Sequence, residues 1–187
     1  MKITFLGHAT IEIQINEFSL LVDPFISGNP MASKIDLDNL KPDFILITHA
    51  HQDHTLDVEK LAKDNNSLII SNFEIVSHFQ NKGLNGHPMN HGGKWDFDFG
   101  ELKYVNAIHT STFPDGSNGG QPGGFIITSN NKSIYIAGDT ALTYDMKLIP
   151  INYNLDLAVL PIGDNFTMGY KDAIIASDFI ECNKILG

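Results

Sequence analysis

Apolar and polar residues alternate along the first third of the chain in the two-residue rhythm of strands. Lys2 to Leu6, Thr10 to Ile15 with Ile11, Ile13 and Ile15 on one face, and Phe18 to Val22 before Asp23-Pro24 predict an antiparallel meander. After Lys41-Pro42 the unbroken apolar run Phe44 to Ile47 predicts a strand buried on both faces, and Leu56 to Lys63 has helical spacing at Leu56, Leu61 and Ala62. A short strand at Leu68 to Ile70, a helix at Phe73 to Asn81 and a turn-rich stretch from Lys82 to Lys94 follow. Strands are then expected near Trp95 to Phe99, Glu101 to Ala107, Phe125 to Thr128, Ser133 to Ala137 and Leu155 to Leu160. Tyr170 to Glu181 closes the pattern as a helix with Ala173, Ile174, Ala176 and Ile180 inward. Phe113 to Gly124, rich in Gly, Pro, Asn and Ser, reads as a surface loop with the alternative of a glycine-hinged lid. Nothing marks a linker, so a single domain over residues 1–187 is expected.

Composition narrows the class. At 187 residues with 42% hydrophobic, 18% charged and 16 Gly, the chain has the make-up of a compact globular domain with many tight turns. A single cysteine, Cys182, excludes an intrachain disulfide and leaves histidine and aspartate as the abundant metal ligands. The formal net charge of -10, with 12 scattered Lys+Arg, argues against nucleic acid as a partner. No apolar run reaches bilayer length and no signal-like segment follows Met1, so a soluble cytoplasmic protein without a membrane partner is expected, with homo-oligomerisation left open.

The chemistry concentrates at Thr48-His49-Ala50-His51-Gln52-Asp53-His54, directly after the apolar run. Neutral imidazole and carboxylate are the donors that borderline divalent ions take, and four such groups exceed the usual share of one ion. In extended backbone His49 and His51 project to one side, while Asp53 and His54 follow where the chain turns. Further ligands are expected at other strand ends, since those loops converge on one sheet edge. His109, after the strand Glu101 to Ala107, and Asp139, in Gly138-Asp139-Thr140, satisfy this; Asp139 also suits a helix N-cap.

These residues resemble the metallo-β-lactamase superfamily, whose His-x-His-x-Asp-His signature matches His49, His51, Asp53 and His54. Leu6-Gly7-His8-Ala9, Asp23-Pro24-Phe25, Gly28-Asn29-Pro30, Ala137-Gly138-Asp139-Thr140, Asp145 to Ile149, Pro161-Ile162-Gly163 and Asn165 to Gly169 are similar to its small bacterial branch related to L-ascorbate-6-phosphate lactonases. The resemblance implies an α/β fold, an αββα sandwich with two sheets face to face. It implies a two-ion site in which His49, His51 and His109 hold one ion, Asp53 and His54 the other, and Asp139 both. It further implies a last histidine after the final strand; the chain reaches Gly187 where that strand should be ending, so a chain lacking its last C-terminal segment is the expectation. Ala50 and Asp164 stand where the branch commonly has glycine.

Other residues carry two readings. His8 is either a contact to substrate or metal ligands or a packed structural histidine, and Asp23 either fixes the tautomer of a ligand histidine or marks an ordinary turn before Pro24. Asn165 and Thr167, with Met168, either line a pocket or form a helix-entry turn. His78, His87 and His91 read as surface or loop residues. The function expected is a metal-dependent hydrolase in which a hydroxide bridging two divalent ions attacks a small ester, lactone or phosphoester, with Asp53 orienting it. Zn is the first expectation for the ions, with Mn or Fe admitted by the same donors. The alternatives are a phosphodiesterase acting on nucleic acid and a non-catalytic metal-dependent ligand-binding domain.

Overall fold

The computed structural model describes all residues 1–187. The chain is mixed α/β with two six-stranded sheets, and it packs as two compact units, residues 1–90 with 111–120 and residues 91–110 with 121–187.

In the first unit the sheet order follows the chain: β1 (Lys2–Gly7), β2 (Thr10–Ile15), β3 (Phe18–Val22), β4 (Phe44–Leu46), β5 (Leu68–Asn72) and β6 (Gly86–Met89). The first three form the expected antiparallel meander, and β3 to β6 pair in parallel. β4 is apolar throughout because it is an interior strand of this parallel part, with Ile45 and Leu46 fully buried. Helices α1 (Gln52–Thr55), α2 (Val58–Asn65) and α3 (Phe73–Gln80) belong to this unit. Val58, Leu61 and Ala62 of α2 and Ile75 and Phe79 of α3 pack in one core with Leu21, Ile45 and Ile69 of the sheet. Two reversals bring β1 back to the direction of β3, so the C-terminal ends of β1, β3, β4 and β5 share one edge. His8, Asp23 and the histidine-rich segment all leave the sheet there.

The second unit contains β7 (Lys94–Phe97), β8 (Gly100–Asn106), β9 (Gly123–Ser129), β10 (Lys132–Ile136), β11 (Leu157–Val159), β12 (Ile185–Leu186) and α4 (Tyr170–Phe179). Antiparallel pairing from β7 to β10 gives way to parallel pairing of β10, β11 and β12. Ile126, Tyr135 and Ala158 of the sheet share a core with Met146 and with Ala173 and Ala176 of α4. β8, β10 and β11 run in one sense, so His109, Asp139 and the segment after Leu160 leave from one edge.

Several local expectations are corrected. Turn-rich Lys82 to Lys94 contains β6, whose Pro88 is tolerated because β6 pairs on one side only, as the edge of its sheet. Ile174 is 61% exposed rather than inward, because the small residues Ala173 and Ala176 make the close approach of α4. The strand expected over Leu155 to Leu160 is limited to Leu157–Val159, and a 3-10 turn occupies Tyr144–Leu148.

The helix expected over Leu56 to Lys63 begins only at Val58, and a break at Leu56 and Asp57 separates it from α1; the buried Asp57 side chain is recruited elsewhere. Its carboxylate accepts from Ile26 N at 2.6 Å, from Ser27 N at 3.0 Å and from the Ser27 hydroxyl. The loop after β3 is thereby fastened to the start of α2. Removing a buried acceptor strands its donors, at about 1–3 kcal/mol per group. Asp57→Ala is expected to destabilise the protein by roughly 2–4 kcal/mol in urea unfolding, and a loss below about 1 kcal/mol contradicts the anchoring role.

Candidate metal centre

The first unit's site is built outward from one buried carboxylate. Asp23 follows β3 with φ 44, in the left-handed region that an aspartate tolerates better than most residues. Its backbone N–H donates to Leu46 O at 3.0 Å, which keeps the β3–β4 pairing intact. The side chain turns toward the segment leaving β4: Oδ1 accepts from Thr48 N at 2.8 Å and Oδ2 from the Thr48 hydroxyl at 2.6 Å. Oδ2 also accepts from His54 Nδ1 at 2.9 Å.

These bonds decide where the histidine protons sit. With its own hydrogen given to Asp23, the Thr48 oxygen accepts from His49 Nδ1 at 3.0 Å. His49 and His54, both fully buried, are therefore held as Nδ1–H tautomers with the lone pair on Nε2, the arrangement that prepares an imidazole for a metal. His49 Nε2 lies 3.0 Å from His51 Nδ1, so two ring nitrogens converge on one point. His51 is extended at φ -62, ψ 150 as the cap of α1, and Asp53 and His54 lie within that helix. The backbone changes from extended to helical between His49/His51 and Asp53/His54, and the rings of His49 and His54 come together with centroids 4.0 Å apart. Neutral imidazoles with fixed tautomers and a carboxylate are the donor set of a borderline divalent ion, and the residues fit one.

Asp53 stands on the outer side. His8 Nε2 lies 3.0 Å from Asp53 Oδ2, and this hydrogen bond, with the nearby imidazole of His54 assisting against burial, holds the Asp53 carboxyl well below the usual carboxylate range. The ligand-type atoms of His8, Asp53 and His54 all lie within 4.8 Å of one another.

In the second unit, Thr140 ties the ends of β8 and β10 together. Its buried hydroxyl accepts from Ile108 N at 3.0 Å, and Ala141 N donates to Ile108 O at 3.0 Å. This brackets His109 and Asp139, whose Nε2 and Oδ2 are 3.7 Å apart. Asp139 caps no helix; Thr143 does so for the 3-10 turn, accepting from Asp145 N at 3.4 Å. Met168 N donates to Thr140 O at 2.9 Å, which fastens the loop carrying Asn165 and Thr167 beside the Asp139 segment. Asn165 is exposed there, and the Thr167 hydroxyl is 3.2 Å from Met168 O.

The remaining histidines are engaged in packing or local bonds. His78 stacks on Phe113 with ring centroids 3.8 Å apart, and burial lowers its pKa. His91 Nε2 donates to Pro122 O at 2.8 Å. Phe113 to Gly120 forms a hairpin pinned by buried Phe113. Phe113 also lines a cleft of about 230 Å³ with Gln52, Thr55, Leu56 and His78. Thr48, absent from the candidates chosen from sequence, is the bridge between Asp23 and His49; an oxygen side chain next to a ligand histidine was the available signal.

Two mixed sheets with a His-x-His-x-Asp-His segment leaving a strand end define the metallo-β-lactamase fold. The model of the family described as "Beta-lactamase superfamily domain" matches residues 2–186, and the chain belongs to that family. It is 66% identical over 187 residues to a metal-dependent hydrolase of Flavobacterium johnsoniae, covering all of this chain and 83% of the relative. A metal-dependent hydrolase of Christiangramia forsetii is 65% identical over 188 residues, with 100% and 83% covered. Among solved structures, a novel metallo hydrolase from the hyperthermophilic archaeon Ignicoccus hospitalis superposes with a TM-score of 0.87 at 30% identity, covering 98% of this chain and 79% of that one. The protein is thus a member of a family of metal-dependent hydrolases. No helix is long and apolar enough to cross a membrane.

Asp23→Asn leaves one side-chain oxygen to serve Thr48 and His54 together. It is expected to weaken Zn²⁺ binding by roughly 10–100-fold in competition with a chromophoric chelator. Unchanged affinity removes Asp23 from the support of the ligands.

Proposed function

We propose that the protein is a two-metal hydrolase of a small anionic metabolite bearing an ester, lactone or phosphoester. The observation carrying this reading is the pinned pair of nitrogens, His49 Nε2 and His51 Nδ1, 3.0 Å apart beside a buried carboxylate. In this reading His49, His51 and His109 would hold one ion, Asp53 and His54 the second, and Asp139 both. Zn is the ion of first choice, and Mn or Fe suits the same nitrogen and oxygen donors. When bound, divalent ions activate water near neutral pH and polarise the substrate oxygen.

The chain's own groups do the rest. Asp53, half exposed, presents a carboxylate oxygen that accepts a hydrogen bond from the attacking water and orients it. Asp23 and Thr48 keep His49 and His54 in fixed tautomers through each turnover. A net charge of -10 disfavours a polyanionic partner, whereas bound cations make the site locally attractive to a small anion.

The test is turnover by Zn- and Mn-loaded protein across a panel of phosphorylated lactones, esters and phosphodiesters. For a substrate found this way, His51→Ala is expected to lower kcat/KM by about 10²-fold or more, as befits loss of an ion that supplies several kcal/mol of transition-state stabilisation. An unchanged rate rejects the metal mechanism. Tight binding of single-stranded RNA or DNA that weakens steeply with salt points instead to a nucleic-acid phosphodiesterase.

A further inference from the structure

The turn between β1 and β2 places His8 in the left-handed backbone region. Gly7 pairs with Thr10, leaving His8 and Ala9 as a two-residue hairpin loop. His8 takes φ 52 at the first loop position, where glycine or asparagine is the ordinary choice because a Cβ crowds the backbone. Histidine is among the non-glycine residues enriched in this region, and the turn seats it at a strand end beside a cluster of ligand-type groups.

That side chain has a defined aim. Its ring meets Phe25 edge-on at a centroid distance of 5.6 Å and His54 at 5.1 Å, which fixes its plane over the outer side of the histidine segment. Nε2 is 3.0 Å from Asp53 Oδ2, and the ligand-type atoms of His8, Asp53 and His54 lie mutually within 4.8 Å. Two donors on a tetrahedral ion at usual Zn–N and Zn–O lengths stand about 3.3 Å apart, so this spacing needs only a small opening to admit one. The donation of His54 Nδ1 to Asp23 directs the lone pair of its Nε2 to coordination. The side chains of His8 and Asp53 are 40% and 47% exposed, so an ion can enter from solvent.

We propose that His8 is a ligand of the second ion, its Nε2 joining the Asp53 carboxylate and His54 Nε2. The three donors come from the ends of β1 and β4, within one compact unit. The inference rests on the two-ion reading above and adds a ligand to it.

The experiment is a Co²⁺ and Zn²⁺ titration of the metal-stripped protein, read by elemental analysis and by the visible d–d absorption of each Co²⁺ equivalent. His8→Gly and His8→Asn suit the positive φ and keep the turn, so folding is preserved. Wild type is expected to take two equivalents. Both variants are expected to keep the first and bind the second at least tenfold more weakly with an altered Co²⁺ spectrum, and free imidazole is expected to restore the second equivalent to His8→Gly. A second equivalent bound by both variants within twofold of wild type, with an unchanged spectrum, overturns the His8 assignment and leaves the two-ion reading standing. Equal weakening of both equivalents also overturns it, making His8 a support of the whole edge. A wild-type protein that takes only one equivalent overturns both readings.

Discussion

The Asp23 carboxylate is the interaction on which the rest of the first unit's site depends. A carboxylate 1% exposed is costly to desolvate, and here the cost is offset by hydrogen bonds from Thr48 N, the Thr48 hydroxyl and His54. Each of those bonds has a second consequence. The backbone bond continues the β3–β4 alignment past the end of the strands, the hydroxyl bond orients Thr48 toward His49, and the imidazole bond fixes His54. The turn carrying Asp23 is itself braced, since Thr10 Oγ1 donates to Asp23 O at 2.8 Å and accepts from Phe25 N at 3.0 Å. The register of β2 against β3 therefore reaches His49 and His54 through a few short bonds.

Topology explains why these groups meet. A parallel arrangement of β3, β4 and β5, with β1 brought into the same direction by two hairpins, sends every chemically active segment of the unit out of one sheet edge. In the second unit the same rule places His109 and Asp139 after β8 and β10, which are parallel to each other across β9. Thr140 then does for that edge part of what Asp23 does for the first, a buried oxygen joining two departing loops.

Strand periodicity made most of the two sheets legible, because Ile11, Ile13 and Ile15 or Phe44 to Ile47 must be buried to be worth their hydrophobicity. β6 was hidden because Gly86-His87-Pro88-Met89 has no alternation and depends on pairing with β5 alone. The break between α1 and α2 was hidden because a remote loop, Ile26-Ser27, claims the Asp57 carboxylate. Ile174 misled because hydrophobicity was read as depth where α4 needs small side chains for close approach. Within the site, the clustered candidates were conspicuous because four nitrogen and oxygen donors stand almost adjacent in sequence. His8 carried two readings, a contact to substrate or metal ligands and a packed structural histidine, and folding brings Asp53 to 3.0 Å from its ring.

The site is graded from inside to outside. His49 and His54 are fully buried and locked by inner hydrogen bonds, whereas His8 and Asp53 stand in partial contact with solvent. In the two-ion reading proposed above, the rigid inner donors would fix where ions sit, and the softer outer pair would leave room for water and substrate to reach them. A hydrolytic centre needs both properties, because a closed shell of four rigid ligands holds an ion without offering it to a reactant. The gradient follows the faces of the segment: His49 is still inside the core just past the strand end, α1 turns His54 inward and Asp53 toward solvent, and His8 reaches the surface on the neighbouring hairpin.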